Sequence, residues 1–282
     1  MHVHPHGSRR RWWTVGTVAV ALGGLGIVGT GSAGPVFAMP PRFPPDVAQA
    51  MAWAARRTRV PVLGPVWVPA FHIRGRTFAA TVVAKPAAYQ IEFWREWHLL
   101  PPNSPKVDST DPALEPLVSV GGTRESSPAL ARHVVTTNAF DQIAGLQHST
   151  RIPPAAQTVA ITPTIRGRLW SHGSHGGRLI VTVIAWHERG WLVVTYGPSL
   201  SRSKTAQRQA AIAEAQQQVP KIMAAMPGQW GTICVAPAGT GDHTFVAWQR
   251  GTIVYSVYCN NGISGATTVV ASLYPYRPAS AS

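Results

Sequence analysis

The chain predicts an α+β fold: antiparallel sheet built from repeated hairpin-plus-helix units, with the helices packed on one face. Three observations carry the prediction. The most patterned run, Thr244–Leu273, opens on an apolar strand pattern at Phe245 to Trp248, breaks at Gln249-Arg250-Gly251, and resumes with Ile253, Tyr255 and Val257 on one face. Ile263, Ala266, Val270 and Leu273 then recur at spacings of three, four and three, as one side of a helix does. The second observation is an echo. Val183-Ile184-Ala185-Trp186-His187-Glu188-Arg189-Gly190 and Phe245-Val246-Ala247-Trp248-Gln249-Arg250-Gly251 share an Ala-Trp…Arg-Gly ending, and each precedes a Tyr-bearing strand and a helix. Chance similarity among strand-rich segments competes with true repetition here. The third is composition: 26 Gly and 25 Pro demand many turns, while 11 Trp and a 45% hydrophobic fraction supply a core.

In chain order, residues 1–38 read as an export signal peptide, with an N-terminal anchor as the alternative. Arg9-Arg10-Arg11 form the positive end, Val15 to Val28 the apolar middle, and Val36-Phe37-Ala38 a small-residue cleavage site. The apolar stretch is short and glycine-rich for a membrane span. The remainder divides into an N-terminal α+β unit at 39–150, with proline-rich connectors, and a C-terminal part at 151–282 carrying the repeated pattern.

Within the first unit, Asp46 is positioned to cap a short helix with Val47, Met51 and Ala54 on its apolar side. The proline-punctuated run Val60–Pro69 reads as an extended connector. Strands follow at Thr77–Ala84 and Tyr89–Trp94, joined around Lys85-Pro86, with another at Leu117–Val120 after a polar loop. Ser127 and Pro128 open a helix reaching to about Leu146. The second part predicts strands at Gln157–Ile161, Arg166–Trp170, Leu179–Trp186 and Trp191–Tyr196, then a helix from Lys204. Strands at Thr232–Ala236, Thr244–Trp248 and Ile253–Tyr258 and the final helix complete it. Gly251 is expected at the left-handed position of a three-residue hairpin loop.

An exported chain gives its two cysteines, Cys234 and Cys259, an oxidising setting that favours a disulfide. A simple three-strand meander works against it, because Cys234 and Cys259 then sit on strands separated by the middle one, beyond bridging distance. Two buried free thiols are the alternative.

Charge is strongly basic. Excluding Arg9–Arg11, 22 cationic side chains face 11 anionic ones, a net +11 spread along the chain. Such dispersed charge favours salt-sensitive association with an anionic cell-wall polymer, lipid headgroups or an envelope protein. Nucleic acid is disfavoured, because no recognised binding motif occurs.

Trp248-x-x-Gly251-x-x-x-Tyr255, followed by Val269-Val270-Ala271-Ser272-Leu273, resembles the C-terminal module of poorly characterised bacterial envelope proteins with a lipoprotein-carrier-like or sigma-factor-regulator-like fold. The resemblance covers roughly thirty residues and implies an extracytoplasmic sheet-and-helix domain without catalytic residues.

Chemistry-bearing clusters are few. His172, His175 and His187, with Glu188, offer nitrogen and oxygen donors for zinc, although the first two lie in a Gly-rich turn that fixes geometry poorly. No cofactor is otherwise expected. No nucleophile elbow occurs. Glu92 and Glu96 share a strand face but flank Trp94 and Arg95, a setting for ion pairing. Trp94, Trp97, Trp186, Trp191 and Trp248 fall near strand ends, where they either stack on a ligand or plug the core. The expected function is an exported, non-catalytic module that binds a ligand, an anionic cell-wall polymer or a partner protein. An extracytoplasmic metal-dependent hydrolase and a structural surface protein are the competing expectations.

Overall fold

A ten-stranded sheet runs through the protein and takes strands from both halves of the sequence. The computed structural model describes residues 42–69, 77–96, 100–107, 116–137, 152–173, 180–197, 203–223, 230–238 and 241–277. Residues 1–38, expected to be an export signal, lie outside them, as do Trp97 and His175. Among the described residues no helix is long and apolar enough to cross a membrane.

The elements are α1 (Pro45–Ala55), β1 (Leu63–Pro65), β2 (Thr77–Lys85), β3 (Ala88–Glu96), β4 (Val118–Arg124), α2 (Pro128–Thr137), β5 (Gln157–Ala160), β6 (Arg166–Gly173), β7 (Ile180–Glu188), β8 (Trp191–Gly197), α3 (Lys204–Met223), β9 (Gly231–Ala238), β10 (Gly241–Arg250), β11 (Ile253–Cys259), α4 (Gly262–Ala271) and β12 (Leu273–Pro275). The sheet order is β2-β3-β4-β11-β10-β9-β8-β7-β6-β5. Only β8 and β9 pair in parallel, as their connection through α3 requires. Segments 39–150 and 151–282 therefore share one sheet, because β4 pairs along its length with β11. Residues 41–282 form one compact unit.

Strand alternation sorts the side chains onto two faces. On the front, Val82, Ile91, Val120, Val257, Val246, Ile233, Val193 and Trp186 form one continuous row through the pairing registers. Buried residues of α1, α3 and α4 join this row in a single core. In α1, Val47, Ala50, Met51 and Ala54 are all buried at helical spacing, and Val47 and Met51 each contribute about 1.5–3 kcal/mol on burial. Pro44 occupies the N-cap position without a side-chain capping hydrogen bond, and Asp46 lies in the first turn instead of at the cap.

The back face carries a second core, in which Ala131 and Val135 of α2 meet Leu192, Val194, Cys234, Phe245 and Ala247. The helices of the described residues thus do not all pack on the one face expected: α2 lies on the back. The reason lies in connectivity: β4 and β5 are separated by six strands, and α2 lies on the link that crosses between them. Ser127 Oγ accepts from the Leu130 amide at 3.1 Å, as a helix cap does, and Thr232 donates its hydroxyl to the Val135 carbonyl.

The connector 60–69 holds β1, which pairs with β12. The Leu63 amide donates to Tyr89 Oη at 2.9 Å and Tyr255 Oη donates to the Pro61 carbonyl at 3.3 Å, tying the ribbon to the front face.

Candidate functional site

Four of the hairpin turns gather at one end of the sheet. Lys85 pairs with Ala88, Arg250 with Ile253, Glu188 with Trp191, and Arg166 with Ala160. Arg124 ends β4 opposite Ile253 at the same level. Gly251 has φ +63° at the first position of a two-residue loop, not the expected three-residue one, and fits the type II′ pattern that continues strand twist. Arg189 and Gly190 both have positive φ, at 48° and 85°, as a type I′ turn requires.

Beneath this turn end, a row of rings crosses the front face: Tyr89, Gly122, Tyr255, Trp248, Gly231, Trp191. The glycines make room for the rings. A Cβ on Gly231 would stand 2.4 Å from Trp191 Cζ3 and 2.5 Å from the Ala247 carbonyl oxygen. One on Gly122 would stand 2.7 Å from Tyr89 Cε1. Trp248 and Tyr255 tilt together with centroids 5.8 Å apart.

This geometry places the tryptophans considered as ligand contacts. Trp186, Trp191 and Trp248 are 2%, 3% and 7% exposed within the front core. Trp94 is 9% exposed on the back, donating Nε1–H to Thr81 Oγ1 at 3.0 Å. All four are buried among the core residues of the sheet.

His172 and His187 do not converge. His172 pairs with Val181 and His187 with Leu192, so six positions of β7 separate them, about 20 Å at strand rise. Ligands of one zinc ion lie within about 2.3 Å of it. Among the described residues no group of three or more His, Cys, Asp or Glu is placed to hold a metal.

The disulfide is overturned. Cys234 and Cys259 are both buried and are not bonded to each other. Cys234 pairs with Phe245 in the back core, while Cys259 pairs with Thr244 and belongs to the front core, across the middle strand β10 and on the opposite face. Burial pushes the Cys259 thiol up to about 11, against a smaller lowering by a backbone hydrogen bond at Asn261.

What the turn end does present is charge. Lys85, Arg124, Arg166, Arg189 and Arg250 are all exposed there. Arg124 Nη2 donates to the Arg59 carbonyl at 3.1 Å. Burial raises the Tyr255 phenol, and the charges of Arg250 and Arg124 draw it the other way, so both guanidinia act on the ring row. Two carboxylates, Glu125 and Glu188, share this end and are partly buried. In the sequence these cations look dispersed, although Lys85, Arg189 and Arg250 each lie in or beside a predicted turn. That was the available signal. No family model, curated protein or solved structure matches the chain.

Proposed function

We propose that this chain is an exported, non-catalytic module that holds an anionic component of the cell envelope against the turn end of its sheet. The observation that supports this reading is the group of exposed cations on that one end, which includes Lys85, Arg124, Arg166, Arg189 and Arg250. Candidate partners are an anionic cell-wall polymer, lipid headgroups or an acidic envelope protein. Extracytoplasmic location rests on the signal-like residues 1–38.

The fold is consistent with two copies of one unit, a three-stranded meander followed by a helix: β6–β8 with α3 and β9–β11 with α4. Repetition of such a unit would carry its second turn to the turn end each time, as the turns with Arg189 and Arg250 do.

The test is retention of the purified protein on isolated envelope material across a salt series. Binding is expected at low ionic strength and release as the Debye length shrinks to about 3 Å near 1 M salt. The double variant Lys85→Gln/Arg250→Gln should be released earlier while keeping its circular dichroism spectrum. Retention indifferent to both salt and substitution removes the reading.

A further inference from the structure

The turn-end cations form a line, and their spacing carries information about the ligand. In the strand order, Lys85 stands on β2, Arg124 two strands on at β4, Arg250 two further at β10, Arg189 in the β7–β8 turn, and Arg166 on β6. With neighbouring strands about 4.8 Å apart, successive cations are about 10 Å apart and the line is about 38 Å long.

The geometry points to an extended linear polyanion, laid across the strand ends, as the ligand of this end of the molecule; the inference rests on the anion-binding reading above. A lone phosphate or carboxylate bonds at about 2.8 Å and reaches one cation of such a line. At physiological salt the screening length is about 8 Å, so the next cation adds little to a compact anion. A chain with repeated charges engages one cation after another at high effective concentration, and its affinity grows with its length until the line is spanned.

A flat membrane surface is favoured less. Membrane-surface binding draws on buried apolar area as well as charge. The exposed large hydrophobic residues among those described, Val83, Leu130 and Tyr274, stand on three separate elements, β2, α2 and β12.

The experiment compares the full chain binding to tripolyphosphate, to long-chain polyphosphate and to phosphatidylglycerol vesicles, at fixed ionic strength. Long-chain polyphosphate is expected to bind at least about 10-fold tighter than tripolyphosphate, per chain. Arg250→Gln and Arg189→Asn, the latter chosen because Asn tolerates positive φ, should each flatten that length dependence. Each should also lower the log–log salt slope by about one. Equal affinity for the short and long polyphosphates overturns the linear-ligand inference while leaving anion binding intact. Vesicles bound tighter than the long polymer overturn it in favour of a membrane. No binding to any of the three removes the anion-binding reading as well.

Discussion

Replacing Gly231 by alanine puts a methyl group where Trp191 and the Ala247 carbonyl already are. The built Cβ stands 2.4 Å from Trp191 Cζ3, 2.5 Å from Cη2 and 2.5 Å from the carbonyl oxygen. The oxygen belongs to β10, which is hydrogen-bonded to β9 at this level, so it cannot retreat without opening the ladder. Overpacking a tight core costs about 1–3 kcal/mol, and a clash with both ring and backbone places Gly231→Ala near about 3 kcal/mol. For a domain of this size that is a fall in Tm of about 6–12 °C. Urea and thermal denaturation followed by far-ultraviolet circular dichroism measure it. Gly251→Ala is the control: its Cβ meets nothing within 4 Å, but φ is +63°, so only backbone strain of about 1–2 kcal/mol is expected. Trp191→Phe removes the two clashing ring atoms, so Gly231→Ala/Trp191→Phe should be destabilised less than the sum of the single variants. A Gly231→Ala protein within about 0.5 kcal/mol of wild type would refute the close-approach account of the ring row.

The thiols give two further predictions. Both cysteines should react with a thiol reagent in denaturant without prior reduction, and reductant should leave the unfolding midpoint unchanged; a midpoint that falls with reductant would restore the bridge. At alkaline pH, Cys259 should cost stability: its folded pKa of about 11 lies above the ordinary 9.0, so the unfolded chain loses its proton first and stability falls as pH rises from 9 towards 11. Between pH 9 and 10 wild type should lose about 1 kcal/mol more than Cys259→Ala, since the tyrosines that begin to ionise in the unfolded chain affect both proteins alike. Identical slopes would show that the thiol is not buried as described.

Local features of the fold were legible because their causes are local. The strand predicted at Trp191–Tyr196 is β8 to within one residue, since its alternation and the Arg-Gly turn before it lie in adjacent residues. The meander β9-β10-β11 was read from the same signals, and it alone forbids the Cys234–Cys259 bond; the register adds that the two side chains leave opposite faces. The position of α2 was not legible. Its side depends on β4 pairing with β11 and on the crossing that follows, which no nearby residue encodes. The tryptophans were ambiguous for a similar reason. Trp191 and Trp248 look like strand-end residues in sequence, but Gly231 stands between them in the sheet and lets Trp191 lie over backbone. Only the strand order reveals that neighbour.

The same strand order turns scattered cations into a line. In an antiparallel meander successive turns alternate ends, so each end receives a turn only at every second strand step, about 10 Å apart. A basic residue at such turns then repeats along the edge without any periodicity in the sequence. The parallel β8–β9 pair is what keeps this regular. Because α3 carries the chain back, β9 starts level with Trp191 at the turn end, β9 and β10 join at the far end, and the Arg250 turn returns beside the others. A plain hairpin from β8 to β9 would reverse both strands and send Arg250 to the opposite end. The α3 crossover therefore decides whether Arg189 and Arg250 can contact one ligand, although no residue of α3 has to touch it.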